Sequence, residues 1–194
     1  MSPTLPVSRI VRAAAVAAAG VAVVAASTAP AQAHGYTGTV TGENGVNVRT
    51  APTVHGDATG TLPKGETVTL ECKVRGTAVD GNDLWYAVHE GTEWVSARFV
   101  ENAGPAPKWC PQSDTETATG TVSSDLNVRQ GPTTADRRMD TLPAGSRVEL
   151  RCSVASQPVG DDHTWYATTS GQWVTGAYLE IDGGVAECNL DDAP

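Results

Sequence analysis

Val68-Thr69-Leu70-Glu71-Cys72-Lys73-Val74 is the stretch that decides the fold. Its apolar residues fall at every second position, the period of a strand with one buried face. Eighty positions later the chain reads Val148-Glu149-Leu150-Arg151-Cys152-Ser153-Val154, with the same alternation and the cysteine in the same slot. A repeat this long is a duplicated small domain rather than a solenoid unit.

The duplication extends outward on both sides. Gly38-Thr39-Val40 is answered by Gly120-Thr121-Val122, Asn47-Val48-Arg49 by Asn127-Val128-Arg129, and Pro52-Thr53 by Pro132-Thr133. Thr61-Leu62-Pro63 and Gly65 recur as Thr141-Leu142-Pro143 and Gly145. Trp85-Tyr86-Ala87 recurs as Trp165-Tyr166-Ala167, Trp94-Val95 as Trp173-Val174, and Phe99 as Tyr178. Within the first repeat, short strands are expected at 38–41, 46–49, 61–65, 66–74, 84–89, 93–95 and 99–100. A polar loop at 50–60, a second loop at 76–83 and a single 3₁₀ turn at 96–98 separate them. Several short strands without a convincing helix, in about 65 residues, describe a small barrel.

The N-terminal segment reads differently. Arg9 and Arg12 precede an Ala/Val run at 13–26, followed by Ala31-Gln32-Ala33. A charged start, a run too short to favour a membrane span, and a small-x-small site together describe a secretory signal peptide over 1–33. Its removal would take the net charge from −9 to −11, because two arginines and no acids leave with it. A chain this acidic, without clustered cations, is a poor ligand for nucleic acid. It is equally unsuited to polyanionic wall polymers, whereas a negative surface keeps a secreted protein soluble.

Four cysteines in an exported chain are an even number in an oxidising setting. They allow three pairings, and the repeat chooses among them. Cys72 precedes Cys110 by 38 residues and Cys152 precedes Cys188 by 36. Each repeat thus has one cysteine on a core-facing strand position and one beyond its last strand. Cys72–Cys110 and Cys152–Cys188 are therefore the expected disulfides, each tying a tail back to its own barrel. Loops of this size give roughly 4 kcal/mol per bridge in the chain-entropy picture. A zinc site would want close-set ligands, and no Cys-x-x-Cys occurs. A catalytic thiol would not be expected twice at matched strand positions.

The order of motifs in both repeats resembles the bacterial SH3 domain (SH3b). That order is Asn-Val-Arg, a Pro loop, Leu-Pro-x-Gly before an alternating strand, Trp-Tyr, then Trp-Val and a final aromatic. The resemblance implies an all-β chain of two small SH3-like barrels in tandem. The expected layout is domain one over 37–110, a linker over 111–119, domain two over 120–188 and a tail over 189–194. It also implies an exported setting and a ligand in peptidoglycan or its stem peptides. The free linker, polar and Ser/Thr-rich, would act as a tether of about 15–20 Å, giving two weak sites avidity on a repetitive polymer.

Candidate ligand contacts are the repeated aromatics and arginines: Arg49, Trp85, Tyr86 and Trp94 in the first repeat, and Arg129, Trp165, Tyr166, Trp173 and Tyr178 in the second. Aromatics give large contact area at low entropy cost. Neighbours in a strand face opposite ways, so only one of Trp85 and Tyr86, and one of Trp165 and Tyr166, is expected in the barrel core. Trp94 and Trp173 sit beside valines and fit the core as well as a site. Arg49 and Arg129 could fork onto a ligand carboxylate, or pair and stack within their own domain. Trp109 has no counterpart, since Glu187 stands in its slot. It is expected to cover apolar surface beside its bridge or to lie between the domains.

No hydrolase, metalloprotease or phosphate-loop motif occurs, and the four histidines do not recur at matched positions. The expectation is a secreted, monomeric, non-catalytic module without cofactor or metal. It has no nucleic-acid partner and, after cleavage, no membrane partner. Its ligand is peptidoglycan or a peptide, or alternatively another secreted protein that it docks or inhibits.

Overall fold

The computed structural model describes residues 35–111 and 118–189, so the leader at 1–33, most of the linker and residues 190–194 of the tail lie outside it. The first barrel has strands β1 (Tyr36–Val40), β2 (Val46–Arg49), β3 (Ala58–Leu62), β4 (Thr67–Leu70), β5 (Lys73–Val79), β6 (Asn82–Val88), β7 (Glu93–Ser96) and β8 (Val100–Asn102). The second has β9 (Ala118–Val122), β10 (Leu126–Arg129), β11 (Arg138–Leu142), β12 (Arg147–Val159), β13 (Asp162–Thr168), β14 (Trp173–Thr175) and β15 (Leu179–Asp182). One 3₁₀ turn precedes the last strand of each barrel, at Ala97–Phe99 and Gly176–Tyr178, capped by the hydroxyls of Ser96 and Thr175. No helix among the described residues is long and apolar enough to cross a membrane.

Strand order is the same in both halves. The second forms one sheet, β11-β10-β14-β13-β12-β9-β15. In the first, β3-β2-β7-β6-β5 and β4-β1-β8 follow the identical path, parted where β4 ends and β5 begins. Two small SH3-like barrels in tandem are thus the fold, with disulfides Cys72–Cys110 and Cys152–Cys188. The alternation of apolar residues fills each interior. Val40, Val46, Val48, Val68, Leu70, Tyr86, Val88 and Val95 close the first, and Val122, Leu126, Val128, Leu150 and Val174 the second.

Two local expectations are corrected. Residues 58–60, 76–79 and 82–83 are strand, not loop, because β3 starts at Ala58 and β5 runs on to Val79 and turns tightly at Asp80-Gly81 into β6. Gly76 permits this: a Cβ there would stand 2.7 Å from the Trp85 ring and 2.0 Å from the Pro52 carbonyl oxygen. The cysteine slots are also not barrel-facing. In β12 the register slips between Leu150 and Cys152, which pair with the adjacent residues Thr168 and Ala167, so Arg151 is the extra residue of a β-bulge. The first half has the same bulge at Glu71, where Glu71 N donates to the Ala87 carbonyl and Ala87 N to that of Cys72. A bulge reverses which face even positions occupy. Leu70 and Leu150 therefore point into the barrels, while Cys72, Val74 and Cys152 point out of them.

What lies on that outer face is the other half. Cys72, Val74, Trp85, Ala87, Trp94 and Cys110 form one continuous apolar cluster with Cys152, Trp165, Ala167, Trp173 and Cys188. The contacts are reciprocal. Cys72 Sγ lies 3.8 Å from the Cys188 carbonyl oxygen, and Cys152 Sγ lies 3.7 Å from that of Cys110. Such reciprocity is the signature of a local twofold. The halves share a core and belong to a single compact unit, so they are not beads hanging on a flexible tether.

Candidate functional site

The four repeated tryptophans lie inside the seam. Trp85, Trp94, Trp165 and Trp173 are each 2 % exposed or less. Three of the indole N–H groups are also committed: Trp85 Nε1 donates to the Thr77 carbonyl at 2.9 Å and Trp165 Nε1 to that of Gln157 at 2.7 Å. Trp173 Nε1 reaches across the seam to the Arg75 carbonyl at 2.8 Å. Strand alternation does send Trp85 and Tyr86 to opposite faces, but both faces are covered. Tyr86 fills the first barrel, where its hydroxyl accepts from Asn102 Nδ2 at 3.0 Å. Tyr166 packs against the second barrel's core, and burial followed by the Asp162 carboxylate raises its phenol pKa.

The paired arginines hold their own loops. Arg49 Nη1 donates to the Gly56 carbonyl at 2.6 Å, and Arg129 Nη1 to the carbonyls of Thr134 and Asp136 at 2.9 and 2.8 Å. Of the nine candidates, four tryptophans meet in the seam and three residues meet at an open cavity. Arg129, Trp165 and Tyr178, with Asn127 and Thr134, line a cavity of about 210 Å³ on the second barrel, and Tyr178 is 41 % exposed there.

A polar knot crosses the seam. Asp136, only 2 % exposed, accepts from Thr53 Oγ1 at 3.1 and 3.0 Å, from Thr133 Oγ1 at 2.8 Å and from Thr77 Oγ1. His55 Nε2 stands 4.0 Å from it. The slot matching Asp136 in the first repeat is Gly56, so repetition gave no hint of this residue. The carboxyl group fixes how the halves meet, because any shift would take it away from the Thr53 and Thr77 hydroxyls of the first half.

Outside the seam the surface chemistry gathers around Trp109. Trp109 is 38 % exposed and pairs in a short parallel bridge with Lys73. The Lys73 ammonium lies 5.2 Å from its ring centre and the Arg75 guanidinium 5.6 Å, both within cation–π range. The ring forms one wall of a cavity of about 270 Å³, with Arg75, Arg151 and the turn at 168–171 of the other half. Arg75, Arg151 and Lys73 escaped sequence reasoning, because attention to recurring residues passes over slots where the repeats differ. Only the absence of a counterpart to Trp109 pointed here. No group of three or more His, Cys, Asp or Glu that could hold a metal ion occurs among the described residues. The arrangement offers aromatic surface, guanidinium donors and hydroxyls, which suit binding.

Comparison with solved structures returns distant likenesses. NlpC2 from Trichomonas vaginalis is 16% identical, with a TM-score of 0.26 over 77% of this chain and 51% of that one. NlpC1 from the same organism gives 16% and 0.26 over 77% and 49%. The endolysin LysPBC5 CBD gives 12% and 0.28 over 76% and 93%. The chain spans about half the length of the two Trichomonas proteins. No curated protein matches it. Residues 44–101, from the turn before β2 into β8, match the bacterial SH3 domain family.

Proposed function

We propose that the chain is an exported, non-catalytic binding module of two SH3b domains that recognises peptidoglycan or its stem peptides. The observation that carries this reading is the match of residues 44–101 to the bacterial SH3 domain family, because the second barrel repeats the first strand for strand. Two disulfides among the described residues support an oxidising, extracellular location. The exposed aromatic and guanidinium groups beside the seam, and the Arg129–Tyr178 cavity, supply contact surface of the kind that holds sugars and peptides. The two barrels share one apolar core, so a polymer would meet a single surface and not two tethered beads.

The test is co-sedimentation of the oxidised chain with insoluble peptidoglycan stripped of anionic polymers, at physiological salt. Saturable binding competed by soluble wall fragments is expected. Failure to sediment would overturn the wall-binding reading and turn the search to a secreted protein partner.

A further inference from the structure

The local twofold gives the seam two equivalent grooves, one on each flank. The first, described above, is lined by Val74, Arg75, Trp109, Arg151 and the turn at 168–171. The second is lined by Val154, Ala155, Glu187 and the turn at 91–92. Their backbones are matched independently of side chains. Trp109 pairs in parallel with Lys73 as Glu187 pairs with Ser153, and Arg151 occupies the same bulge position as Glu71. Each turn carries a glycine in the left-handed region, Gly171 at φ 83° and Gly91 at φ 78°. Neither has a Cβ to hold the opposite half away: one at Gly171 would meet Arg75 Cδ at 2.7 Å.

The chemistry, in contrast, has diverged in sign. Arg75 is answered by Ala155, Trp109 by Glu187, and Arg151 by Glu71. One groove is cationic with an exposed indole, while its counterpart carries Glu187 with Glu71 beside its turn, and its lining tryptophan, Trp94, is buried. In a chain of net charge −9 the lining of the first groove contains two arginines and no acid. The Arg151 side chain makes no hydrogen bond or ion pair among the described residues. Arg75 is steadied by Asp83, Nη1 to Oδ2 at 2.7 Å, which leaves its other donors to the groove. Glu149 reaches the rim, where its Oε2 accepts from Thr169 Oγ1 at 3.3 Å.

We propose that the Arg75–Trp109–Arg151 groove is a binding site for a carboxylate attached to a sugar ring or a peptide end. Arg151 forks onto the carboxylate, Arg75 flanks it, and the exposed face of Trp109 takes the adjoining CH-bearing surface. The acidic groove on the opposite flank rejects the same ligand, so the duplicated chain binds it once. The inference goes beyond wall binding, because such a carboxylate need not come from a wall polymer.

The oxidised chain is titrated with N-acetylmuramic acid and with N-acetyl-D-alanyl-D-alanine, each against its neutral carboxamide. Binding is followed by calorimetry and by the emission of Trp109, the other four indoles being enclosed. We expect one acid per chain to bind saturably, and its carboxamide about tenfold more weakly. The two acids separate a sugar source from a peptide source. R151E should lower acid affinity by about tenfold or more with an unchanged circular dichroism spectrum. W109F should retain charge discrimination and lose the emission change. Equal binding of acid and carboxamide, no saturable binding of either acid, or R151E indistinguishable from the parent would overturn the site. Sedimentation with peptidoglycan that persists undiminished in R151E would leave the wall-binding reading standing and remove this groove from it.

Discussion

The guanidinium of Arg129 holds two carbonyls of the loop that follows it, and Arg49 holds the matching loop in the first barrel. Arg129→Ala frees both acceptors and loosens the segment that delivers Asp136 to the seam. A loss of about 1–2 kcal/mol is expected in denaturant unfolding, with faster proteolysis near residues 130–137. A second residue responds to pH. Glu93 is held below the ordinary glutamate range by the hydroxyl of Thr59 first and by His89 second. A lowered carboxyl pKa gives stability that is full above the unfolded value, roughly 4.3, and lost as pH falls through the folded one. Glu93→Gln should therefore flatten the acid limb of the stability profile and leave the neutral plateau with only the loss of the His89 pairing. The asymmetry of single slots matters equally: Arg75, Arg151 and Asp136 stand where the other repeat has Ala155, Glu71 and Gly56.

At the scale of elements, β5 and β12 are the strands from which everything else is hung. β12 carries its bulge and Cys152 within it, and β5 starts directly after Glu71 and Cys72; each sends a valine to the seam and ends at a tight turn. Gly76 is the point in β5 where Trp85 and Pro52 crowd the backbone. Gly76→Ala should cost about 1–3 kcal/mol by overpacking, visible as a lower denaturant midpoint with an unchanged slope. Much of this architecture could be read from the chain alone. The period of two, the repeat and the cysteine spacing led to small barrels and to the two disulfides. What could not be read was the bulge. Val68, Leu70, Cys72 and Val74 keep their alternation unbroken while the backbone inserts Glu71 and exchanges the faces. The apolar pattern therefore conceals that two of the four serve a different core. The same gap hid the fate of the tryptophans. An aromatic facing away from its own barrel reads as surface until a second barrel is placed against it, and strand periodicity carries no information about that partner.

For the whole molecule, four buried indoles and two disulfides in one apolar cluster join the halves. Burying an indole removes on the order of 200 Å² from water, a transfer of roughly 5 kcal/mol before entropy is counted. With the core shared to this extent, the barrels should unfold together. A single calorimetric transition is expected, with equal van't Hoff and calorimetric enthalpies. Trp173→Ala, which also strands the Arg75 carbonyl, should lower stability by about 3–5 kcal/mol in both halves at once. Two resolved transitions in the parent chain would show that the seam is too weak to couple them.

The reciprocal packing of the seam has a consequence for how such a chain can arise and be divided. Each half presents to the other nearly the same patch that the other presents to it, which is the arrangement of a symmetric homodimer joined into one polypeptide. Joining makes the encounter intramolecular, so association no longer depends on how dilute the protein becomes. It also releases each copy from having to match the other. A free homodimer must place an arginine on both flanks or on neither, whereas the fused chain keeps Arg151 on one flank and Glu71 on the other.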